Sequence, residues 1–258
     1  MIENQIIETI EKKLEDIERR ENVRILYACE SGSRAWGFAS PDSDYDVRFV
    51  YVRPMEEYLR LEDTRDVLEV ELNEVYDING WDVSKMLQLL TKSNPTIFEW
   101  ADSPVVYKST NAWCYIKSCM PQFFCAKRML HYYVSITRKN IRRYFEGPEV
   151  SMKKYLYVIR GILASEWIMK KNCPPPTAFS HLVEETLPQD LNPVVQKLLD
   201  AKMKADEKEN GPHLLDLDAF IEQKIAESLA FFEQGAKEKV PNWELVDKMF
   251  LKILRKQV

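Results

Sequence analysis

Glycine is scarce in this chain of 258 residues, which has only 7, and histidine is scarcer still, with 3. His131, His181 and His213 stand far from the pattern described below, which argues against a histidine-based metal or nucleophile centre. The 5 cysteines are odd in number and contain no C-x-x-C pair, so zinc or a disulfide framework is not expected, and reduced, buried thiols are. No apolar run approaches the roughly 20 residues that span a bilayer. The first twenty residues are charged throughout, without the apolar core of a signal peptide, so a cytoplasmic protein with no membrane partner is expected. A formal net charge of −5 argues against polyanion binding over the whole surface and leaves room for a local basic groove. With 45% hydrophobic and 30% charged residues, the chain has the apolar material for a core and the length for one large domain or two modest ones.

Against that scarcity, two glycines within six residues, Gly32 and Gly37, imply a backbone need. They bracket Ser31-Gly32-Ser33-Arg34-Ala35-Trp36-Gly37, which follows the short apolar run Val23–Cys29. Ten residues then separate Ser33 from Asp44, and Ser43-Asp44-Tyr45-Asp46 opens a second apolar run to Val52. Residues two apart on a strand point to one face, roughly 6–7 Å apart. Asp44 and Asp46 can therefore hold metal ions together, and paired catalytic Mg²⁺ ions lie about 3.5–4 Å apart. Backbone N–H groups of the Gly-Ser turn can hold a phosphate while the carboxylate-bound metals neutralise it.

The pattern along the chain reads as an α+β half followed by an all-α half. Ile2, Ile6, Ile10, Leu14 and Ile17 recur at helical spacing. Strands are expected over 23–29, 44–52, 67–72 and 74–79, with short helices over 33–38 and 55–61 and a longer one over 83–91. Asp82 stands where an N-cap belongs. A further short helix runs to Trp100, and Asp102-Ser103-Pro104 marks the expected boundary between domains 1–104 and 105–258. Beyond it helices are expected over 109–119, 122–145, 151–171, 191–207, 214–233 and 242–256, with breaks at Gly147-Pro148, Pro174-Pro175-Pro176, Asn210-Gly211-Pro212 and Pro241.

Glu69, Glu71, Glu74, Asp77 and Asp82 are the acids on or beside the next strands that could join this pair. Asp77 is favoured, because it falls within a strand while Asp82 has the separate work of capping a helix. Arg34 can reach a nucleotide phosphate or pair with Asp42 or Asp44. Arg48 shares strand parity with the two aspartates and can pair with them or with a triphosphate. Lys85, about a turn past Asp82, can point into the site or into solvent. Lys153, Tyr157 and Arg160 follow i, i+4, i+7 spacing on one helix face, where a ring between cations suits a base and its phosphates; a plain charged helix surface is the alternative. Arg138, Lys139, Arg142 and Arg143 form a basic helix end that the helix dipole alone can favour and that nucleic acid can also use. Trp36 and Phe38 are expected to pack the turn.

The Gly-Ser turn ahead of Asp-x-Asp resembles the signature of the DNA polymerase β-like nucleotidyltransferases. The longer string from Gly32 to Phe49 is similar to the YcgL/RlaP-type predicted nucleotidyltransferases, some of them encoded beside RNA ligases. Asp77-Ile78-Asn79-Gly80-Trp81-Asp82 with Lys85, Asn94-Pro95 with Glu99-Trp100, and Lys153 to Arg160 extend the resemblance. Pro175-Pro176-Thr177-Ala178-Phe179 departs from the family element at Thr177. The resemblance implies a polymerase β-like domain, a mixed sheet with helices, followed by a helical domain that closes over the nucleotide.

The function expected from residues and resemblance together is Mg²⁺- or Mn²⁺-dependent transfer of a nucleoside monophosphate from an NTP to an acceptor hydroxyl. An RNA end is the favoured acceptor, with a protein or small molecule as the others. Asp44 and Asp46 would bind both metals, and Asp77 the one at the attacking hydroxyl. Gly32, Ser33, Arg34, Ser43, Lys85, Lys153, Tyr157 and Arg160 would bind the nucleotide. The contrasting expectation is a regulator or antitoxin-like protein that binds a nucleotide in the same pocket without catalysis.

Overall fold

The computed structural model describes residues 4–204, 210–233 and 240–257. Helix α1 (Asn4–Glu21) buries Ile10, Leu14 and Ile17 of the expected stripe; Ile2 lies outside the described residues. Strand β1 (Arg24–Glu30) leads into the short helix α2 (Gly32–Trp36), and β2 (Tyr45–Val52) follows. After a 3₁₀ turn over Met55–Leu59 come β3 (Val67–Leu72), β4 (Tyr76–Asp82), α3 (Val83–Thr91) and α4 (Pro95–Ala101). Both β3 and α3 have the expected bounds.

A fifth strand, β5 (Val106–Ser109), comes next, where the sequence pattern shows only the approach to a helix. The sheet runs in the order β3-β4-β2-β1-β5, with β2 and β4 parallel and the other pairs antiparallel. This mixed sheet, with its helices, is an α+β arrangement. The parallel β2–β4 pair needs the β3 excursion, since parallel strands cannot be joined by a tight hairpin.

Then come α5 (Asn111–Cys119), α6 (Ala126–Tyr144), β6 (Glu149–Ser151), α7 (Met152–Lys171), α8 (Phe179–Thr186), α9 (Asn192–Lys204), β7 (Asn210–Pro212), α10 (Leu215–Glu233) and α11 (Trp243–Leu254). The expected extension of α9 to 207 lies outside the described residues. Helix α8 and the β6–β7 pair were not foreseen from the sequence. No helix among the described residues is long and apolar enough to cross a membrane.

Packing divides the chain into two units. One takes the described residues of 1–35, 44–123 and 240–258, and the other takes 36–43 with those of 124–239. This division is discontinuous in sequence, where a single boundary after Pro104 was expected. In the first unit, α1 packs its stripe with Ile25, Ala28, Val47, Phe49 and Ile78 of the sheet. Tyr27 stacks on Trp113 of α5 at 4.1 Å between ring centroids, and α11 packs on α3. In the second unit, α7 is the buried centre, with α6, α8, α9 and α10 against it. Gly161 lets α6 approach α7, because a Cβ there would stand 2.2 Å from Thr137 Oγ1.

Candidate active site

The end of β1 and the start of β2 are tied together by backbone and side chain. Ser31 N–H donates to Asp46 O at 2.8 Å. Gly32 has φ +59°, the left-handed region that favours glycine, and a Cβ on it would stand 1.9 Å from Asp46 Oδ2. The Gly-Ser turn and the second carboxylate of Asp-x-Asp are thus one structural feature, and Ser33 beside them is buried.

Parallel pairing sets Asp46 on β2 opposite Asp77 on β4. Arg48, two residues on from Asp46, places Nη2 at 2.7 Å from Asp46 Oδ1 and at 2.6 Å from Asp77 Oδ2. Its Nη1 donates to Asp77 O at 2.7 Å. One guanidinium therefore joins the two carboxylates, and the three side chains are mostly shielded from water. Asp44 is half-buried at the lead-in to β2, and its backbone carbonyl accepts from Arg34 Nε at 3.0 Å. The Arg34 guanidinium lies 3.9 Å from the Tyr45 ring centroid. Among the described residues, no three His, Cys, Asp or Glu side chains gather in a geometry that would hold a metal ion.

Asp82 lies at the far end of β4, opposite Tyr51. It caps α3 by accepting from Ser84 N at 2.8 Å, and it accepts from the Tyr58 hydroxyl at 2.8 Å. Burial raises its pKa. It is Asp77 that the fold brings to Asp46. The Lys85 ammonium pairs with Asp66 at 2.9 Å. Of the other candidate acids, Glu71 pairs with Lys13 at 2.7 Å and Glu69 with Arg65 at 3.4 Å.

The remaining candidates belong to the other unit. Ser43 is buried in a tight turn, its hydroxyl 2.9 Å from that of Ser40. Arg160 is 6% exposed, with its guanidinium 4.3 Å from the Trp36 ring centroid. Tyr157 meets Trp36 edge-on at 5.5 Å, and Lys153 Nζ lies 6.0 Å from the Tyr157 ring. Phe38 packs against Phe179 at 5.4 Å.

One residue of the site went unread in the sequence. Glu30 closes β1 and is fully buried, and its Oε1 accepts the Asp46 N–H at 2.9 Å while Oε2 accepts from the Tyr107 hydroxyl. Burial pushes its pKa up to about 7. The signal was available: an acid ending an otherwise apolar run, directly before Ser31-Gly32-Ser33.

Comparison with known proteins identifies the family. The family model RlaP, described as the RNA repair pathway DNA polymerase beta family, matches residues 6–252. An uncharacterized protein of Bacillus subtilis (strain 168), YcgL, is 38% identical over 229 residues, 88% of each chain. A crystal structure of a nucleotidyltransferase-like protein from Exiguobacterium sibiricum covers 96% of this chain and 80% of its own, at 12% identity and a TM-score of 0.32. That score is too low to bear on the fold.

Proposed function

Because the chain belongs to the RlaP family, the RNA repair pathway DNA polymerase beta family, we propose that it moves a nucleoside monophosphate from an NTP to an acceptor hydroxyl. Pyrophosphate is released, Mg²⁺ or Mn²⁺ is required, and an RNA end is the favoured acceptor. The observation that carries this reading is the position of Asp46, at once against Gly32 and across the sheet from Asp77.

As oxygen donors the carboxylates suit a hard divalent cation, although among the described residues no three gather around a single point. Asp44, Asp46 and Asp77 offer only oxygen ligands, and the guanidinium held between Asp46 and Asp77 is positive charge already resident there. Asp44 and Asp46, with Asp77, would hold Mg²⁺, which when bound supplies charge neutralisation and a more acidic attacking hydroxyl. The Gly32 and Ser33 N–H groups, with the Ser33 hydroxyl, hold the β- and γ-phosphates. Arg34 and Arg48 are the guanidinium groups of this unit nearest to them in sequence. Glu30 fixes the Asp46 backbone from below. Catalysis then consists of positioning and charge neutralisation, as in-line phosphoryl-type transfer requires. Lys85 would have to exchange Asp66 for a phosphate to take part.

The Arg48 bridge favours one competing reading, a nucleotide-binding regulator whose carboxylates are satisfied by an arginine. Pyrophosphate release from each of the four NTPs, with Mg²⁺ or Mn²⁺ and with or without cellular RNA, separates the two. Release that RNA stimulates and Asp46→Asn abolishes supports transfer to RNA. NTP binding without release under every condition supports the regulator.

A further inference from the structure

From Ser103 to Phe145 the chain contains no Asp or Glu, although acids outnumber Lys and Arg over the whole sequence, 41 to 36. This stretch ends in the last two turns of α6, where Arg138, Lys139, Arg142 and Arg143 are all exposed. Helix α7 packs against α6 and brings its own first turn to the same place. Lys154 Nζ lies 4.4 Å from the Tyr144 ring centroid and 5.1 Å from that of Tyr157, and the Arg143 guanidinium carbon lies 5.2 Å from the Tyr144 ring. Cations from two helices thus share one tyrosine. Among the described residues, none of Arg138, Lys139, Arg142, Arg143 and Lys154 has a carboxylate partner.

Helix electrostatics accounts for only part of this charge. The cations at the C-terminus of α6 are favoured by its dipole. Lys154, in contrast, sits in the first turn of α7, which has no acid and no side-chain cap. There the dipole and the neighbouring cations both work against it. A surface that gathers charge against its own stability is suited to a polyanion. Tyrosines set among the cations favour nucleic acid over a membrane surface, because a base has a π-face to stack and a lipid headgroup does not.

We propose that the α6–α7 ridge from Arg138 to Lys154 binds single-stranded RNA, with its cations on the phosphates and Tyr144 against a base. The choice of RNA among nucleic acids rests on the nucleotidyl-transfer reading, while the polyanion surface stands without it.

The test is fluorescence anisotropy of a labelled single-stranded RNA of about 12 nucleotides, in EDTA and without NTP. Binding should weaken steeply as salt rises from about 50 to about 200 mM. The double variant Arg142→Gln/Arg143→Gln should lose about tenfold in affinity and flatten the salt slope. Tyr144→Ala should lose about fivefold with the slope unchanged. Both carry exposed or half-exposed changes, and thermal melts followed by circular dichroism check that they remain folded. A wild type that does not bind RNA, variants that bind as well as it does, or capture by phosphatidylserine vesicles in place of RNA would each overturn the proposal. If RNA binds as expected but no NTP yields pyrophosphate, the ridge stands and the transfer reading falls.

Discussion

Gly32 and Asp46 are in such close approach that a Cβ on the glycine would stand 1.9 Å from the aspartate's Oδ2. The turn that would hold a phosphate and the carboxylate that would hold a cation cannot be moved apart. Gly32→Ala adds both a clash and a side chain at positive φ. It should cost on the order of 1–3 kcal/mol in a urea titration and displace the Asp46 carboxylate. NTP-dependent pyrophosphate release should fall by about a hundredfold or more, since a shift of about 1 Å can cost that much.

Arg48 neutralises Asp46 and Asp77 together. Arg48→Gln leaves two carboxylates facing each other without that charge, so its melting temperature should fall below the wild type in EDTA. Mn²⁺ should then raise the melting temperature of the variant by more than that of the wild type, because the ion meets no resident cation. Equal Mn²⁺ shifts in both proteins would show that the guanidinium does not compete for those carboxylates.

Asp77 and Asp82 lie on one strand and should separate by phenotype. Asp77→Asn should abolish transfer with little change in the urea midpoint. Asp82→Ala removes the α3 cap and the acceptor of the Tyr58 hydroxyl, and should cost about 1–2 kcal/mol. Urea titration beside a turnover assay checks both.

His213 faces two acceptors, Asp218 Oδ2 at 2.8 Å from Nδ1 and Gly147 O at 2.9 Å from Nε2. The protonated imidazole can donate to both, and the Asp218 hydrogen bond, followed by that to Gly147, raises its pKa. The contribution is therefore complete below the unfolded histidine value, about 6.5, and is lost as pH rises through the higher folded value. The stability difference between wild type and His213→Gln should be largest near pH 6 and shrink towards about pH 9. A difference that does not change with pH would show that His213 acts as a neutral hydrogen-bonding group.

Much of the first unit was legible in the sequence because its signals are local. Stripe spacing marks α1, short apolar runs beside turn residues mark β1 and β2, and Asp82 announces α3. Helix α8 was hidden behind the proline triplet, being short and having Ala178 at its N-cap, where no side chain can cap it. Strand β5 is four residues long and is a strand only because β1 pairs with it. Both β6 and β7 have three residues each and exist only as partners of one another.

By itself the sequence determined the pieces: the Gly-Ser turn, the Asp-x-Asp pair, the strand that carries Asp77, and the run of basic residues on α6. Only the tertiary structure decided which pieces meet. The parallel register of β2 and β4 sets Asp77, five residues before Asp82, against Asp46. The same register lets Arg48 reach both carboxylates, the end of β1 puts Glu30 beneath the Asp46 amide, and the packing of α7 on α6 carries Lys154 to Tyr144. Spacing along a chain specifies periodicity within one element, but the alignment of two elements is set by pairing and burial over contacts distant in sequence.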